Sequence, residues 1–321
     1  GVYLSDSTMA DWGGGRCGVQ LGFLVKRLHT LLMRQPILHA DETPVTILKY
    51  VDLQTASSRL KQGYVWAYAT PQHSEAFGGF KAVVYDFAES RKNEHPRDFL
   101  NNWQGKLICD DYTGYKFLFK QPNQPVIEIG CMAHARRKFF ELTKKQVSLI
   151  ADEALDLFGQ LYAVEREIDE RFEKNGIPVP RDVAVVRQIR QEKAKPIADR
   201  LFAWLHDKRR QVTKNAAITG ALDYCLKRWT ALIRYLDDGR LPIDNNWAEN
   251  QVRPWALGRK NWLFAGSLKS GERAANIMSL IQSARLNGLD PYAYLVDVLR
   301  RLPTHPDSQI DELLPHIWKM Q

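Results

Sequence analysis

Residues 36–41 read PILHAD, a short apolar run that begins at a proline and ends in an acid. Residues 106–110 read KLICD, which is also a short apolar run that ends in an acid. Each run predicts a buried strand with a carboxylate at its end, Asp41 in the first and Asp110 in the second. If the two strands are neighbours in one sheet, both carboxylates emerge at the same edge of that sheet.

Two carboxylates held close together repel each other unless a cation lies between them. Hard oxygen ligands favour Mg²⁺ or Mn²⁺. The pair Asp41 and Asp110 therefore suggests a divalent metal site. The alternative is that each Asp only forms a turn or caps a helix after its strand.

Around these two runs the pattern alternates between helix and strand. Residues 16–35 carry leucines at helical three-and-four spacing, and Pro36 ends that pattern. The order is that of a ribonuclease-H-like fold, a mixed five-stranded sheet flanked by helices. The remaining predicted strands are 64–69, 81–87 and 125–131, and the remaining predicted helices are 93–103 and 134–141.

Strand patterns disappear from about residue 140 to residue 235, where amphipathic helical patterns take over. We interpret this stretch as a large all-helical insertion. Helices resume near Asp244, and another begins at Asp290 with Pro291 as its first residue. The expected division is an N-terminal helical lead-in (1–35), the first part of the core (36–139), the insertion (140–240), the last part of the core (241–303) and a C-terminal tail (304–321).

A third acid, Glu249, lies on the helix that is predicted to begin near Asp244. Asp244 can cap this helix, and Asn245, Glu249 and Arg253 follow at a spacing of four residues on one face. The neighbouring apolar face can pack on the sheet and bring Glu249 back towards Asp41 and Asp110; it consists of Ala248, Val252 and Trp255. The alternative is an ordinary Glu249–Arg253 pair on a solvated helix. Pro254 indicates that the helix is short or kinked.

The composition is that of a basic globular protein. The chain has 321 residues, 45% of them hydrophobic, and a formal net charge of +8. A basic surplus favours polyanionic partners, and it is concentrated in two stretches. Residues 251–301 contain eight Lys or Arg against three Asp or Glu, and residues 134–145 contain five against one.

The four cysteines form no CxxC pair, and we interpret them as packing residues. No apolar run reaches the roughly 20 residues of a membrane span. The chain begins without Met and without a signal-peptide pattern, so we expect a cytoplasmic protein or a fragment of one.

Several long sequence words resemble the DDE transposases of insertion-sequence family sixty-six, almost from end to end. They are HADETP (39–44), CDDYTGY (109–115), GCMAHARRKF (130–139), DNNWAEN (244–250), GRKNWLFAGS (258–267), GERAA (271–275) and NGLDPYAYL (287–295). The resemblance implies that Asp41, Asp110 and Glu249 form the catalytic triad and the metal ligands. It also implies an N-terminal DNA-binding region that this chain lacks.

The resemblance also implies the chemistry. We expect phosphoryl transfer on DNA with two metal ions per site, Mg²⁺ or a substituting Mn²⁺, roughly 3.5–4 Å apart. Asp111 stands where the family usually has Gly, so Asp110 and Asp111 compete for the role of second ligand; we choose Asp110 because it closes the strand. The 139 residues that separate Asp110 from Glu249 are accounted for by the helical insertion.

The basic residues then become candidates for DNA contact, since cations mixed with an aromatic ring suit phosphate contact and base stacking. His134 is as well explained by packing at a helix start as by a ligand role. The candidates are Arg136, Arg137, Lys138, Arg253, Arg259, Lys260, Trp262 and Lys269. The alternative for each cluster is a solvated basic face.

The expected function is that of a bacterial DNA transposase, which acts on transposon ends and a target and forms a homo-oligomer on DNA, where it is associated with the nucleoid. Helper proteins are an open question. Two alternatives remain: a metal-dependent nuclease that never joins strands, and a non-catalytic DNA-binding relative. A two-carboxylate glycoside hydrolase fits poorly with the basic charge and the third acid.

Overall fold

The computed structural model describes residues 15–51, 58–122, 126–144, 147–174 and 177–320. Residues 1–14 of the predicted lead-in (1–35) lie outside this range. At the centre is a mixed sheet with the strand order β3-β2-β1-β4-β5. These strands are β1 Ile37–Val51, β2 Ser58–Ala69, β3 Val83–Ala88, β4 Gly105–Cys109 and β5 Val126–Gly130. The first three pair antiparallel, whereas β4 and β5 run parallel to β1.

The sheet corrects two predictions. β1 does not end at Asp41 but continues to Val51, because β2 pairs with it antiparallel from His39 onwards, with one irregularity after Ile47, and Val45 and Ile47 continue the buried alternation. The sheet also has six strands rather than five, since the two-residue strand β8, Phe264–Ala265, pairs with β1 at Thr46 and Ile47.

The helices follow the predicted order. Predicted helix 93–103 ends early, and Asn102 just beyond it has a φ of 58°, which is incompatible with a helix. The helices are α1 Gly18–Leu32, α2 Glu94–Phe99, α3 Met132–Thr143, α4 Leu149–Arg171, α5 Val183–Ile189, α6 Lys195–Gln211, α7 Thr219–Ile233, α8 Asn246–Trp262, α9 Leu268–Leu286 and α10 Pro291–Arg301. A π-helical turn, Arg190–Ala194, joins α5 to α6.

Helices α3 to α7 cover one face of the sheet at the β4–β5 side. Their apolar side chains form one core with Ile37, Ile108 and Ile129 of the strands. The region from 149 to 236 therefore shares a core with the sheet instead of burying its apolar surface alone. It also contains a small hairpin, β6 Glu173–Lys174 with β7 Ile177–Pro178, so the predicted absence of strands here is wrong.

On the same face, α8 covers the β1–β3 side, where Val252 and Trp255 pack with Val45 and Ile47. The predicted packing of this helix on the sheet is thus confirmed. Pro254 does not shorten α8, which continues to Trp262. The helix begins at Asn246, with Asn245 rather than Asp244 as the cap residue.

The opposite face of the sheet is covered by α1, α10 and the segment after it, around Leu38 and Leu107. The predicted tail belongs to this layer, because Leu313 and Leu314 are buried and Asp311 pairs with Arg27 at 2.5 Å. None of the helices in the described ranges is long and apolar enough to cross a membrane.

Helix α9 closes the exposed edge of the sheet at β3. The hydroxyl groups of Ser279 and Ser283 accept hydrogen bonds from the backbone N–H groups of Tyr85 and Val83, at 2.9 and 3.0 Å. A helix that pairs with an edge strand in this way removes a template for aggregation.

Candidate active site

Asp41 and Asp110 lie side by side on neighbouring parallel strands. His39 of β1 is the register partner of Ile108 of β4, and each Asp follows two residues further along. Side chains two residues apart point to the same face of a sheet, so both acids emerge on the face that α8 covers. Asp110 follows the end of β4, whereas Asp41 lies within β1, at the point where the parallel pairing stops.

The pKa of Asp41 shows the effect of the neighbouring acids. Burial raises the pKa of the Asp41 carboxyl well above its ordinary value, and the charges of Glu42, Asp110 and Glu249 raise it further. The backbone N–H of Glu42 donates to its Oδ1 at 2.9 Å, which favours the charged form but does not outweigh the rest. Each of the three acids predicted for the site therefore contributes to one negative field.

Glu249 is brought to the strands by Asn245, four residues earlier. The Asn245 Nδ2 donates to the carbonyl oxygen of Ala40 at 2.9 Å, and its Oδ1 lies 2.8 Å from Nδ1 of His39. Its backbone N–H donates to the sulfur of Cys131 at 3.2 Å. Three bonds from one fully buried residue thus fix the start of α8 against β1 and the start of α3.

The carboxylate of Glu249 faces α3. Its Oε2 lies 3.3 Å from an Nη of Arg137, and its Oε1 lies 3.6 Å from Nδ1 of His134. Oε1 is nonetheless buried without a hydrogen-bond partner among the described residues. Arg253, the partner expected for a solvated helix, is exposed, and the ion pairs of Glu249 go to α3 instead.

Cys131 and His134 complete a group that the sequence prediction did not assemble. With Glu249 they offer sulfur, nitrogen and oxygen atoms that all lie within 4.8 Å of one another. Burial raises the pKa of the Cys131 thiol to about 12, so the sulfur is protonated when no metal ion is bound. The spacing of Cys131 and His134 across a strand end and the first turn of α3 is the signal that could have indicated the pair.

Asp110 and Asp111 differ in their surroundings. Asp111 forms ion pairs with Lys116 at 2.7 Å and with Arg228. Asp110 accepts the backbone N–H of Tyr112 at 2.9 Å, and its charge acts on Asp41. The structure therefore brings Asp110, and not Asp111, to Asp41.

Glu42 is a fourth acid that the prediction missed. It points to the opposite sheet face, where its side chain is only 2% exposed. Nε of Arg91 and the hydroxyl of Tyr115 each donate to it at 2.8 Å. Burial and the charge of Asp110 raise the pKa of the Glu42 carboxyl. Its place directly after Asp41 in a strand was the available signal, since neighbouring strand residues face opposite sides.

The basic candidates of α3 divide between two surroundings. Arg136 and Arg137 line an open groove with Tyr162, Arg166 and Asn246. Lys138 instead places its ammonium 4.5 Å from the centre of the Tyr224 ring.

The candidates from α8 onwards are more dispersed. Arg259 donates to the carbonyl oxygen of Pro44 at 2.8 Å, so part of its guanidinium is bound to β1. Arg253 and Lys260 are exposed, and Lys269 lines a separate groove between α1 and α9. The side chain of Trp262 lies outside the described part of the structure.

Comparison with known proteins gives a consistent result. The family model described as "Transposase IS66 family" matches residues 1–273, and the "IS66 C-terminal element" matches residues 279–316. The chain is also similar to three uncharacterized proteins of Sinorhizobium fredii, namely y4hP (35% identical), y4jD (34%) and y4qI (32%). Each match covers 99% of this chain but only 57–60% of the relative, so the chain spans well under two thirds of their length.

Proposed function

Because this chain belongs to the IS66 family of transposases, we propose that it is the catalytic region of an enzyme that cleaves DNA strands and joins the ends to a target. The catalytic residues in this proposal are Asp41, Asp110 and Glu249. One observation carries it: the charges of Asp110 and Glu249 both act on Asp41, although the three acids come from distant parts of the sequence.

The fold is consistent with a ribonuclease-H-like core. Three antiparallel strands followed by two parallel ones, with the order β3-β2-β1-β4-β5, support this assignment. In the same proposal, residues 140–240, which run from the last turn of α3 to the loop before α8, are a helical insertion. Their shared core with β1, β4 and β5 gives the insertion a role in positioning α8, since it buttresses the face on which α8 lies.

The oxygen donors of the three acids suit a divalent cation, but among the described residues the three side chains whose ligand atoms all lie within 4.8 Å of one another are Cys131, His134 and Glu249. Burial first, and then the charges of neighbouring acids, raise the pKa of Asp41, and Glu249 has a buried oxygen without a hydrogen-bond partner among the described residues. A cation held by Asp41, Asp110 and Glu249 would offset the repulsion between the carboxylates and give the buried oxygen of Glu249 a partner. Ligands that are all oxygen atoms suit Mg²⁺ or Mn²⁺. Two such ions, when bound, supply activation of the attacking oxygen and stabilisation of the leaving 3′ oxygen.

The surrounding side chains orient the acids and the DNA. Arg137 and His134 hold the Glu249 carboxylate from α3, while the sheet fixes Asp41 and Asp110. Arg136, Arg137 and Arg166 line the groove beside Glu249, where they can contact phosphates of a DNA backbone. Phosphate contacts of this kind set the position of the duplex and carry no sequence information.

The test is a strand-joining assay with the chain itself. A duplex that ends in the terminal sequence of an IS66-family element is incubated with a target plasmid and Mg²⁺ or Mn²⁺. Cleaved ends covalently joined to the plasmid are the expected product. Cleavage without any joined product would reduce the function to that of a nuclease, and DNA binding without metal-dependent cleavage would leave a non-catalytic relative.

A further inference from the structure

A cavity of about 280 Å³ is lined by sequence neighbours of Asp41 and Glu249, but by none of the three acids themselves. His39 of β1 lines it, two residues before Asp41 and on the same sheet face. Asn246, Trp247 and Asn250 of α8 also line it, on either side of Glu249 in the sequence. Its volume is at the small end of ligand pockets, which span about 300–1,000 Å³, so it suits a compact group.

His39 presents an unused hydrogen-bond acceptor in this cavity. The Nδ2 of Asn245 donates to the carbonyl oxygen of Ala40, and its Oδ1 can only accept, so Nδ1–H of His39 donates a hydrogen bond to it. The other ring nitrogen, Nε2, is then an acceptor. His39 is 0% exposed, and Nε2 has no hydrogen-bond partner among the described residues. A buried polar atom without a partner is unfavourable, and a ligand with an N–H donor would supply the missing hydrogen bond.

The other walls favour a flat and uncharged ligand. The rings of Phe77, Tyr162 and Trp247 line the cavity, and the indole N–H of Trp247 is held by the carbonyl oxygen of Thr70 at 2.8 Å. The charged groups of the lining are largely paired with each other. Arg190 binds Glu165 at 2.6 Å and Arg181 pairs with Asp169, so the cavity is not built for an anion.

The cavity shares part of its wall with the basic groove proposed for the DNA backbone. Tyr162, Arg166 and Asn246 line both. A nucleotide whose phosphate lies in the groove beside Glu249 can therefore reach the cavity with its base. Proteins that flip a base out of a duplex hold it in a pocket by stacking and by hydrogen bonds to its edge.

We propose that this cavity receives a nucleobase flipped out of the DNA next to the cleaved bond, with an N–H group of the base donating to Nε2 of His39. The inference rests on the proposed function, since it assumes that DNA is the substrate. It adds a binding site to the three acids and a means of selecting one nucleotide at the element end.

The experiment measures DNA binding by the Asp110→Asn chain, so that the result does not depend on cleavage. Each nucleotide of an element-end duplex is replaced in turn by an abasic site. We expect one position at which loss of the base weakens binding about tenfold, while a mismatch there, which lowers the cost of flipping, strengthens it. If that base is adenine, its replacement by purine, which lacks the amino group, should reproduce most of the loss.

The protein-side variant is His39→Asn, which keeps an N–H donor for Asn245 and removes the acceptor at Nε2. It should bind the intact duplex about tenfold more weakly and no longer respond to base removal at the selected position. His206→Asn, the same change on an exposed helix residue outside the cavity, should behave as the parent chain. Thermal unfolding checks that each variant folds.

Two outcomes would overturn the inference. In one, no single position stands out in the abasic scan. In the other, His39→Asn weakens binding of intact and abasic duplexes to the same degree at every position. Both leave strand joining by the wild-type chain untouched, so failure of the cavity and failure of the proposed function are distinguishable.

Discussion

The side chain of Asn245 donates a 2.9 Å hydrogen bond to the carbonyl oxygen of Ala40, across 205 residues of sequence. This bond joins the residue before Asp41 to the residue one helical turn before Glu249. The distance between the two acids is therefore set by a single buried amide and its neighbours.

Asn245→Ala should uncouple the helix α8 from β1. The change leaves Nδ1 of His39 and the oxygen of Ala40 without partners, so we expect a loss of about 1–3 kcal/mol in the free energy of unfolding. Cleavage should fall more than stability, since a shift of about 1 Å in a reacting group can cost a hundredfold in rate. Denaturant unfolding and single-turnover cleavage measure the two effects. Normal cleavage by a measurably destabilised variant would contradict this view of the anchor.

The three acids should be needed for cleavage and not for folding or DNA binding. Asp41→Asn, Asp110→Asn and Glu249→Gln keep the side-chain shapes and remove the charges, so we expect metal-dependent cleavage to disappear while binding persists. Asp111→Asn is the matched control, because Asp111 pairs with Lys116 and Arg228 instead of facing Asp41. An inactive Asp111 variant beside an active Asp110 variant would show that the second ligand is misassigned.

Glu249 should tolerate no shortening. Glu249→Asp keeps the charge but shortens the side chain by one methylene, so the carboxylate lies further from Asp41. We therefore expect a loss of about a hundredfold in the cleavage rate. Mn²⁺ should recover part of it, since it accepts looser geometry than Mg²⁺. Rates measured with both metals test this, and equal rates for Asp and Glu at this position would argue against a direct role.

Asp41 should destabilise the metal-free protein at neutral pH. Its pKa is higher in the folded state than in the unfolded state, so protonated Asp41 stabilises the fold. This contribution is complete below the pKa of the unfolded state, about 3.9, and is lost as the pH rises through the pKa of the folded state. Asp41→Asn should therefore melt a few degrees higher than the wild type at pH 7.5 in EDTA, with the difference vanishing near pH 4. Mg²⁺ should raise the melting temperature of the wild type more than that of the variant.

The control for this effect is Asp98→Asn, which removes an acid that is largely exposed. Its melting temperature should follow the wild type at every pH. If Asp41→Asn melts no higher than the wild type in EDTA at pH 7.5, the carboxylates do not repel each other as the structure indicates.

The basic groove should determine the salt dependence of DNA binding. Replacing Arg136 and Arg137 with Gln should weaken binding and reduce the slope of log K against log salt by about 0.9 for each lost phosphate contact. Lys193 and Lys195, which are exposed and paired with acids on the helical region, provide a control pair with the same change of charge. Equal slopes for the two double variants would assign Arg136 and Arg137 to a solvated face.

A buried ion pair should hold the helical region to the loop before α8. Arg190 is 1% exposed, binds both oxygens of Glu165, and donates to the carbonyl oxygen of Leu241 at 2.8 Å. Arg190→Met leaves Glu165 as a charge without its partner, so we expect a loss of about 3–5 kcal/mol in the free energy of unfolding. Lys193→Met, in an exposed pair on the next turn, should cost less than about 1 kcal/mol. Similar costs for both changes would contradict the role given to Arg190.

Local patterns sufficed to predict much of the architecture. Strands β1 to β5 and helix α8 were located because apolar periodicity is a property of short segments, and Asp41 and Asp110 were paired because each follows a short apolar run. The ends of elements were harder. The continuation of β1 beyond Asp41 depends on its pairing with β2, and the pattern of one strand does not contain its partner.

The way in which the residues around the acids meet was not predicted, for the same reason. His39, Cys131, His134 and Asn245 are ordinary residues in their own segments, and they become informative only when β1, α3 and α8 meet. The choice of Arg137 over Arg253 as the partner of Glu249 is of this kind too. A spacing of four residues permits the local pair, but the packing of α8 on the sheet turns the carboxylate towards α3.

The amino-acid sequence alone therefore specified which acids could act together, the order of strands and helices, and the family to which the chain belongs. Each of these can be recognised in short, contiguous segments of the chain. The tertiary structure decided which side chains surround those acids, which of the adjacent pair Asp110 and Asp111 faces Asp41, and that sequence neighbours of Asp41 and Glu249 line a cavity. The physical reason is that hydrogen bonds and ion pairs act over a few ångströms in space. Residues 205 positions apart come within that distance only after the sheet and its helices have packed.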